Sequence, residues 1–433
     1  MTKITFLFIL LATAVNSSAQ ETMLTVDNCM SYAVEHNHDI RISRLTHDNR
    51  RADHTQAIGA FLPSVNASVG VQYNFGRAID PETNTYTNVS TFYNGYSIQA
   101  SLPVFDGFQR LNQLRAAKAS LLMGNSQIRA QQDELALQVF EAYSNVMYYQ
   151  GTVKMAEEKR QQSELTLRQT RVMAEIGQKS EADVAQMEAQ LAGDDYEITR
   201  QQNALSTAML TLKQLMNYPE TDTLLLAGTL EHERIDHTME YAENPDLEAA
   251  KYNVVVARRN LSIAKGALSP SISISSGMST SYNKMLHNPT TGFHDQLRNN
   301  KGEYVYASLS IPLFNRMETI TRIRRQRNNL RIAEEQLAQK REELTKLQLQ
   351  ALNDCEGYRK QTIQMRKKVE ADSIAACLTT RKYEEGLSSA IDVQTSNATL
   401  LESRAQLLQC QLMLALKQKL VNYYKGSPIY STL

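Results

Sequence analysis

From Phe108 to Ile176 the chain runs for 69 residues without a proline, in a stretch rich in Gln, Glu, Ala, Leu, Arg and Lys. An uninterrupted helix of that length would reach roughly 100 Å. A compact globule made from all 433 residues would measure only roughly 55 Å across. A chain with such a segment folds into something long and bundled, or long and hollow.

The segment occurs twice. It is entered through a strand, Tyr96 to Leu102, with apolar residues at even positions and polar ones at odd. The sequence Ser101-Leu102-Pro103-Val104-Phe105 returns as Ser310-Ile311-Pro312-Leu313-Phe314, at an offset of 209. Pro63, Pro81, Pro103 and Pro219 find counterparts in Pro270, Pro289, Pro312 and Pro428, at offsets of 207, 208, 209 and 209. Two tandem copies of this size are too long for a solenoid repeat and read as a duplicated domain closed by pseudo-symmetry. The expected organisation is a first repeat over 20–217, an inter-repeat segment over 218–243 and a second repeat over 244–433.

Lys3, the apolar run Ile4 to Val15 and the small residues up to Ala19 form a signal peptide, 1–19, expected to be cleaved after Ala19. Cleavage there leaves Gln20 rather than a cysteine, which argues against a lipid anchor. No later segment approaches the ~20 apolar residues of a membrane helix, so the exported chain can enter a membrane only as strands. Basic and acidic residues number 46 each, and no net field draws nucleic acid. Cys29, Cys355, Cys377 and Cys410 lack metal spacing and sit in helical contexts, as buried free thiols do.

Each repeat opens with helix. Thr25 is a plausible N-cap with Asp27 in the first turn, and a second helix restarts near Asp39. His36 and His38, with no third ligand near, read as a solvated turn. The period then changes from helical to two. Val65, Ala67, Val69, Val71, Tyr73 and Phe75 alternate with Asn66, Ser68, Gly70, Gln72 and Asn74, a length that suits a tilted transmembrane strand of about 9–11 residues. The strand pairs are expected at 64–76 with 95–105 and at 270–282 with 304–313, each pair joined by a polar loop. Tyr73, Phe75 and Tyr96 beside one loop, and Tyr282, Tyr304 and Tyr306 beside the other, suggest an interfacial aromatic girdle. A soluble hairpin with one buried face is the alternative. Four strands cannot close a barrel and open edges are not tolerated in lipid, so in a membrane several chains must share one barrel.

Long helices over 107–177 and 315–386 are followed by helices over 180–217 and 389–424. The two breaks, Gly177 to Val184 and Gly386 to Val393, match in Gly, Ser, Asp and Val at an offset of 209. Gly177 and Gly386 suit a helix C′ position and Ser180 and Ser389 the next N-cap, which makes each break the tip of a helical hairpin. Val393, Leu400, Leu407, Leu414 and Val421 form one heptad stripe, and Ile391, Ala398, Leu401, Ala405, Leu408, Leu412 and Ala415 an offset one. A helix in a curved wall meets neighbours on both sides and needs two stripes.

With these elements in this order, the chain resembles the TolC family of outer-membrane efflux ducts over almost its whole mature length. The resemblance implies a mainly α fold with a membrane β-barrel: a homotrimer whose four strands per chain make a twelve-stranded β-barrel, continuous with a twelve-helix periplasmic α-barrel. It implies an outer-membrane location reaching into the periplasm, contact with outer-membrane lipid, and tips that dock a periplasmic adaptor (membrane fusion) protein joined to an inner-membrane pump of RND or ABC type. Asp183 and Tyr383 match positions that lock the closed channel, and Asp392 matches a narrow anionic ring above the second tip. Ser388 stands where the pattern has an arginine, and Thr395 where it has a second aspartate.

The function expected is a passive exit duct for small molecules, with type I protein secretion as the alternative. A non-pore coiled-coil structural protein is a third reading. An enzyme is disfavoured, because His232, His237, His287 and His294 lie in loops or the inter-repeat segment without a phosphate loop or nucleophile elbow. No cofactor is expected.

Overall fold

The computed structural model describes residues 23–79, 84–88, 90–228, 244–285, 292–425 and 428–430. The signal peptide, Pro81, Pro289, His232, His237, His287 and the inter-repeat segment beyond Gly228 lie outside them. In chain order the elements are α1 (Val26–His36), α2 (His38–Gly59), β1 (Ser64–Asn74), β2 (Arg77–Ile79), β3 (Tyr86–Asn88), β4 (Thr91–Phe105), α3 (Gln109–Glu175) and α4 (Glu181–Met216). The second copy adds α5 (Pro245–Gly266), β5 (Ser271–Met285), α6 (Phe293–Asn299), β6 (Gly302–Ser310), α7 (Glu318–Glu384) and α8 (Ala390–Tyr424). Both α3 and α7 are 67 residues long, and the chain is a duplicated repeat, mainly helical, with one sheet of four long strands.

Two compact units result, and α3 and α7 run through both. One unit contains α2, the sheet, α5, α6 and the strand-side parts of α3 and α7 (39–131 and 242–349). The sheet order is β1-β4-β5-β6, antiparallel throughout, so β1 and β6 are edges. Register pairs Val65 with Ala100, Ala100 with Ser276 and Ser276 with Val305. Directly opposed residues share a face, and this face is the apolar one. The other face carries Ser64, Ser101, Ser275 and Tyr306 in one row, and hydroxyl pairs bridge its strands at Ser68–Ser97 (2.7 Å) and Ser273–Ser308 (2.8 Å).

This register corrects the expected girdle. Tyr304 and Tyr306 lie opposite Gly277 and Ser275, on the polar face, where the Tyr304 ring covers Gly277. The aromatic band on the apolar face is instead Tyr73–Phe92–Tyr282–Phe293, with centroids 4.8, 6.2 and 5.0 Å apart. The loops also hold more structure than expected. The first contains the β2–β3 hairpin, and β4 begins already at Thr91. The second contains α6, whose Gln296 side chain bonds the Asn283 main chain on both sides, at 2.8 and 2.9 Å. His294 lies in this helix rather than in a loop. Pro103 does not end its strand: β4 continues to Phe105 across a register shift, a place where proline is tolerated. In the second copy β6 stops at Ser310, before Pro312.

The other unit contains α1, α4, α8 and the tip-side parts of α3 and α7. Thr25 caps α1, its hydroxyl accepting from the Asn28 N–H at 3.3 Å. Leu24 pairs with the inter-repeat segment (Leu24 N–H to Leu225 O, 2.9 Å; Ala227 N–H to Leu24 O, 3.0 Å), and the buried Tyr143 hydroxyl donates to Ala227 O. Burial pushes the neighbouring Cys29 thiol up to about 12. Cys355 is buried as expected, but Cys377 is exposed and Cys410 half-buried.

Within this unit the repeats satisfy one packing need in two ways. In the first hairpin the buried Asp194 of α4 accepts from Ser163 of α3 (2.6 Å) and pairs with Lys159 (2.9 Å). At the positions 209 residues later the pair is exchanged. Asp372 lies on α7 and Ser403 on α8, with Lys368 in the place of Lys159. Lys368 first, and the Ser403 hydroxyl next, hold Asp372 below the usual carboxylate range. A carboxylate packed between helices needs a cation and a donor, and either the short or the long helix can carry the carboxylate.

Candidate functional site

The two hairpin tips lie in one unit and share one backbone design. Gly177 and Gly386 both have φ +76°, the left-handed region where glycine alone is free of strain. Around Gly386 the Gly386 N–H donates to Tyr383 O (3.0 Å) and the Leu387 N–H to Lys382 O (2.7 Å). Around Gly177 the corresponding bonds reach Ala174 O (3.0 Å) and Met173 O (2.8 Å). These paired bonds are the Schellman closure of a helix C-terminus. Each next helix starts with a reciprocal capping box. The Ser180 hydroxyl accepts from the Asp183 N–H, and the Asp183 carboxylate accepts from the Ser180 N–H at 3.0 Å; Ser389 and Asp392 repeat this, also at 3.0 Å. The short turn between the two motifs leaves no slack.

The carboxylates are thereby fixed and charged. At Asp392 the Ser389 hydroxyl (2.7 Å), the Ser389 N–H and the Ser388 hydroxyl (3.0 Å) all donate to Oδ2, which holds the group below the usual aspartate range. At Asp183 the Ser180 N–H, then its hydroxyl, act the same way, with Lys179 adding a favourable charge. The expected site residues thus fall into two caps. Ser388 joins the second one. Thr395 stands apart, its hydroxyl donating to Ile391 O one turn back.

Tyr383 is buried against Leu167, Met187, Ala390 and Val393, a cluster that ties all four helices together beside the tips. Its hydroxyl meets Thr170 Oγ1 of α3 at 2.7 Å, and Lys179 Nζ sits 4.1 Å from its ring centroid. Sequence reasoning missed both partners. Lys179 stands two positions after the first tip glycine, the same place that Ser388 holds after the second. The first tip therefore brings a cation onto a side chain of the second long helix.

The family model described as outer membrane efflux protein matches residues 30–218 and again 239–421. The chain belongs to the outer membrane efflux protein family. The two matched segments start 209 residues apart, the spacing of the repeat itself. The outer membrane efflux protein BepC of Brucella suis is 26% identical over 52% of the chain and 48% of its own length. The alkaline protease secretion protein AprF of Pseudomonas aeruginosa is 24% identical over 67% of the chain and 61% of its own length. The chain thus spans about half to three fifths of the curated relatives it matches. Among solved structures, the channel-forming CusC superposes with a TM-score of 0.81 at 17% identity, covering 93% of this chain and 92% of that one. For this efflux-family chain that likeness fixes the fold: paired strands and long helical hairpins, as in outer-membrane channels. Among the described residues no helix is long and apolar enough to cross a membrane.

Proposed function

We infer that the protein is a non-enzymatic outer-membrane exit duct, working as a homotrimer that takes cargo from an inner-membrane pump through a periplasmic adaptor. One observation carries the reading. The sheet has a mainly apolar face, carried by Val65, Val69, Val71, Ile98, Leu102, Ile274, Val305 and Leu309, and among the described residues two unpaired edges, β1 and β6; lipid accepts neither edge unpaired. Three copies placed edge to edge close twelve strands, with the Val-rich face on the lipid and the serine-rich face on the passage. The helices support the same closure. Val393, Leu414 and Val421 of the first α8 stripe and Leu412 and Ala415 of the second are buried within the chain, whereas Ile391 and Ala398, the tip-side members of the second stripe, are exposed and free to meet a neighbour. Light scattering of the detergent-extracted protein should give three times the mass of one mature chain; a monomer would sink the reading.

In this duct the tips are the docking surface, and Asp392 forms an anionic ring of three carboxylates where the helices converge. Walls of low dielectric focus the field of such a ring and draw cations. Asp392→Asn keeps an acceptor for the cap while removing the charge. It is expected to lower cation preference and to weaken block by multivalent cations in single-channel recordings. Because the hydrogen bonds depress the Asp392 pKa, the wild-type preference should hold through mildly acidic pH and fade only below the ordinary aspartate value. Unchanged reversal potentials and block in the variant would leave Asp392 a cap and nothing more.

Type I protein secretion is the second reading, favoured by the likeness to AprF. It keeps the duct and changes the pump. Deleting the gene separates the two, by loss of a secreted polypeptide or by retention of small toxic compounds.

A further inference from the structure

Antiparallel pairing brings four chain junctions to one end of the sheet: the starts of β1 and β5 and the ends of β4 and β6. Equal windows on the helix side of these junctions are basic. Residues 42–63 hold 3 basic and 2 acidic side chains, 106–127 hold 3 and 1, 249–270 hold 4 and 0, and 311–332 hold 6 and 1. The whole chain is neutral, so positive charge is gathered here and the balancing acid lies elsewhere. The last window is the densest. Arg316, Arg322, Arg324, Arg325, Arg327 and Arg331 are exposed and make no ion pair among the described residues. At the matching junction after β4, by contrast, Arg110 is paired with Asp106 at 2.9 Å.

Between the sheet and these charges stand bulky apolar side chains. Phe61, Leu62, Phe108, Leu268, Leu313 and Phe314 are all exposed, the last two at 92% and 78%. Moving away from the sheet, the order is apolar strand face, exposed Leu and Phe, then guanidinium. That is the order of a bilayer boundary, where hydrocarbon gives way to interface and then to headgroup. Arginines serving only a water-filled passage would have no use for the flanking Leu and Phe.

We propose that the helix-side end of the sheet is a basic collar that binds anionic phospholipid headgroups and sets the depth of the protein in the periplasm-facing leaflet. The inference rests on the sheet being the membrane segment, as argued above. Each cation held near an anionic surface raises partitioning about fivefold, so a collar of unpaired arginines discriminates between lipids by charge.

The test titrates the purified whole chain in neutral detergent with phosphatidylglycerol or with phosphatidylcholine of the same acyl chains. Bound lipid is counted by native mass spectrometry at low and high salt, and conductance is recorded in phosphatidylcholine bilayers. Wild-type protein should prefer phosphatidylglycerol by at least about tenfold, and salt should erode the preference. The variant R322Q/R324Q/R325Q/R327Q should lose most of it while conducting normally in the neutral bilayer. Equal retention of the two lipids by the wild type overturns the collar, as does a variant that keeps the preference. A variant that keeps the preference but shifts the reversal potential places the arginines in the passage instead. If the variant does not assemble, the wild-type lipid ratio and its salt dependence decide alone. A protein that conducts without lipid preference overturns the collar and leaves the duct standing; one that neither oligomerises nor conducts overturns both.

Discussion

Valine at position 386 is expected to abolish export in cells while leaving the assembled protein in the membrane at normal amount. A Cβ built at Gly386 meets nothing within 4 Å, so space is not the obstacle. The obstacle is φ +76°, which costs an L-residue roughly 1–2 kcal/mol and a β-branched one more. That strain falls on a turn whose neighbours are already fixed by the Schellman bonds on one side and the Ser389 cap on the other. The turn must reshape, and with it the surface that the proposed duct would offer to an adaptor. Gly386→Asn is the control, since asparagine tolerates the left-handed region and should retain most export. Normal resistance or secretion in the valine variant would remove this tip from the mechanism. The fold of the chain should survive, because the buried cluster of Ala351, Cys355, Leu414 and Val421 that joins α7 to α8 includes no tip residue.

Tyr383→Ala is expected to be the most destabilising single change near the tips. The side chain is 1% exposed and central to the cluster that joins the four helices, and truncating a buried aromatic costs about 3–5 kcal/mol. Tyr383→Phe separates packing from polarity. It removes only the bond to Thr170, whose hydroxyl keeps its bond to Thr166 O at 2.8 Å, so the loss should be about 1 kcal/mol. Thermal unfolding of the extracted protein measures both. In single-channel recordings the alanine variant should conduct in longer or larger openings, since α3 and α7 lose their shared anchor. Equal melting of wild type and alanine variant would show that the cluster does not hold the tips together.

What the sequence disclosed was local in origin. Gly177 and Ser180, like Gly386 and Ser389, declare a helix end and a helix start through their own backbone preferences, so the tips could be read to the residue. The alternation from Val65 to Phe75 likewise states a strand and its faces. Features set by pairing across long separations stayed hidden. Nothing near Phe92 announces that register places it between Tyr73 and Tyr282, and nothing near Phe293 places it against Tyr282. Tyr304 and Tyr306 were misassigned for the same reason: nearness to a loop says nothing about which face a side chain takes, and register does. Thr170 and Tyr383 are 213 residues apart, and the stacking of Lys179 on that ring exists only once two hairpins have packed. Pro103 lacks a backbone donor, but the register shift beside it is a place in a sheet where that donor is not missed.

The unpaired edges of β1 and β6 also set terms for the life of the chain before it reaches its destination. Until copies meet, each carries two open hydrogen-bonding edges and a face of exposed valine, leucine and tyrosine. Such surfaces pair promiscuously and are the usual start of aggregation. If the proposed trimer forms, the last step of maturation is a collision between incomplete molecules, with a rate that rises steeply with their concentration. Scarce chains wait longest, and crowded ones find wrong partners fastest. A cell that makes this protein must ration the supply or keep the waiting copies sheltered, and slow synthesis in a heterologous host should give more assembled protein than fast synthesis.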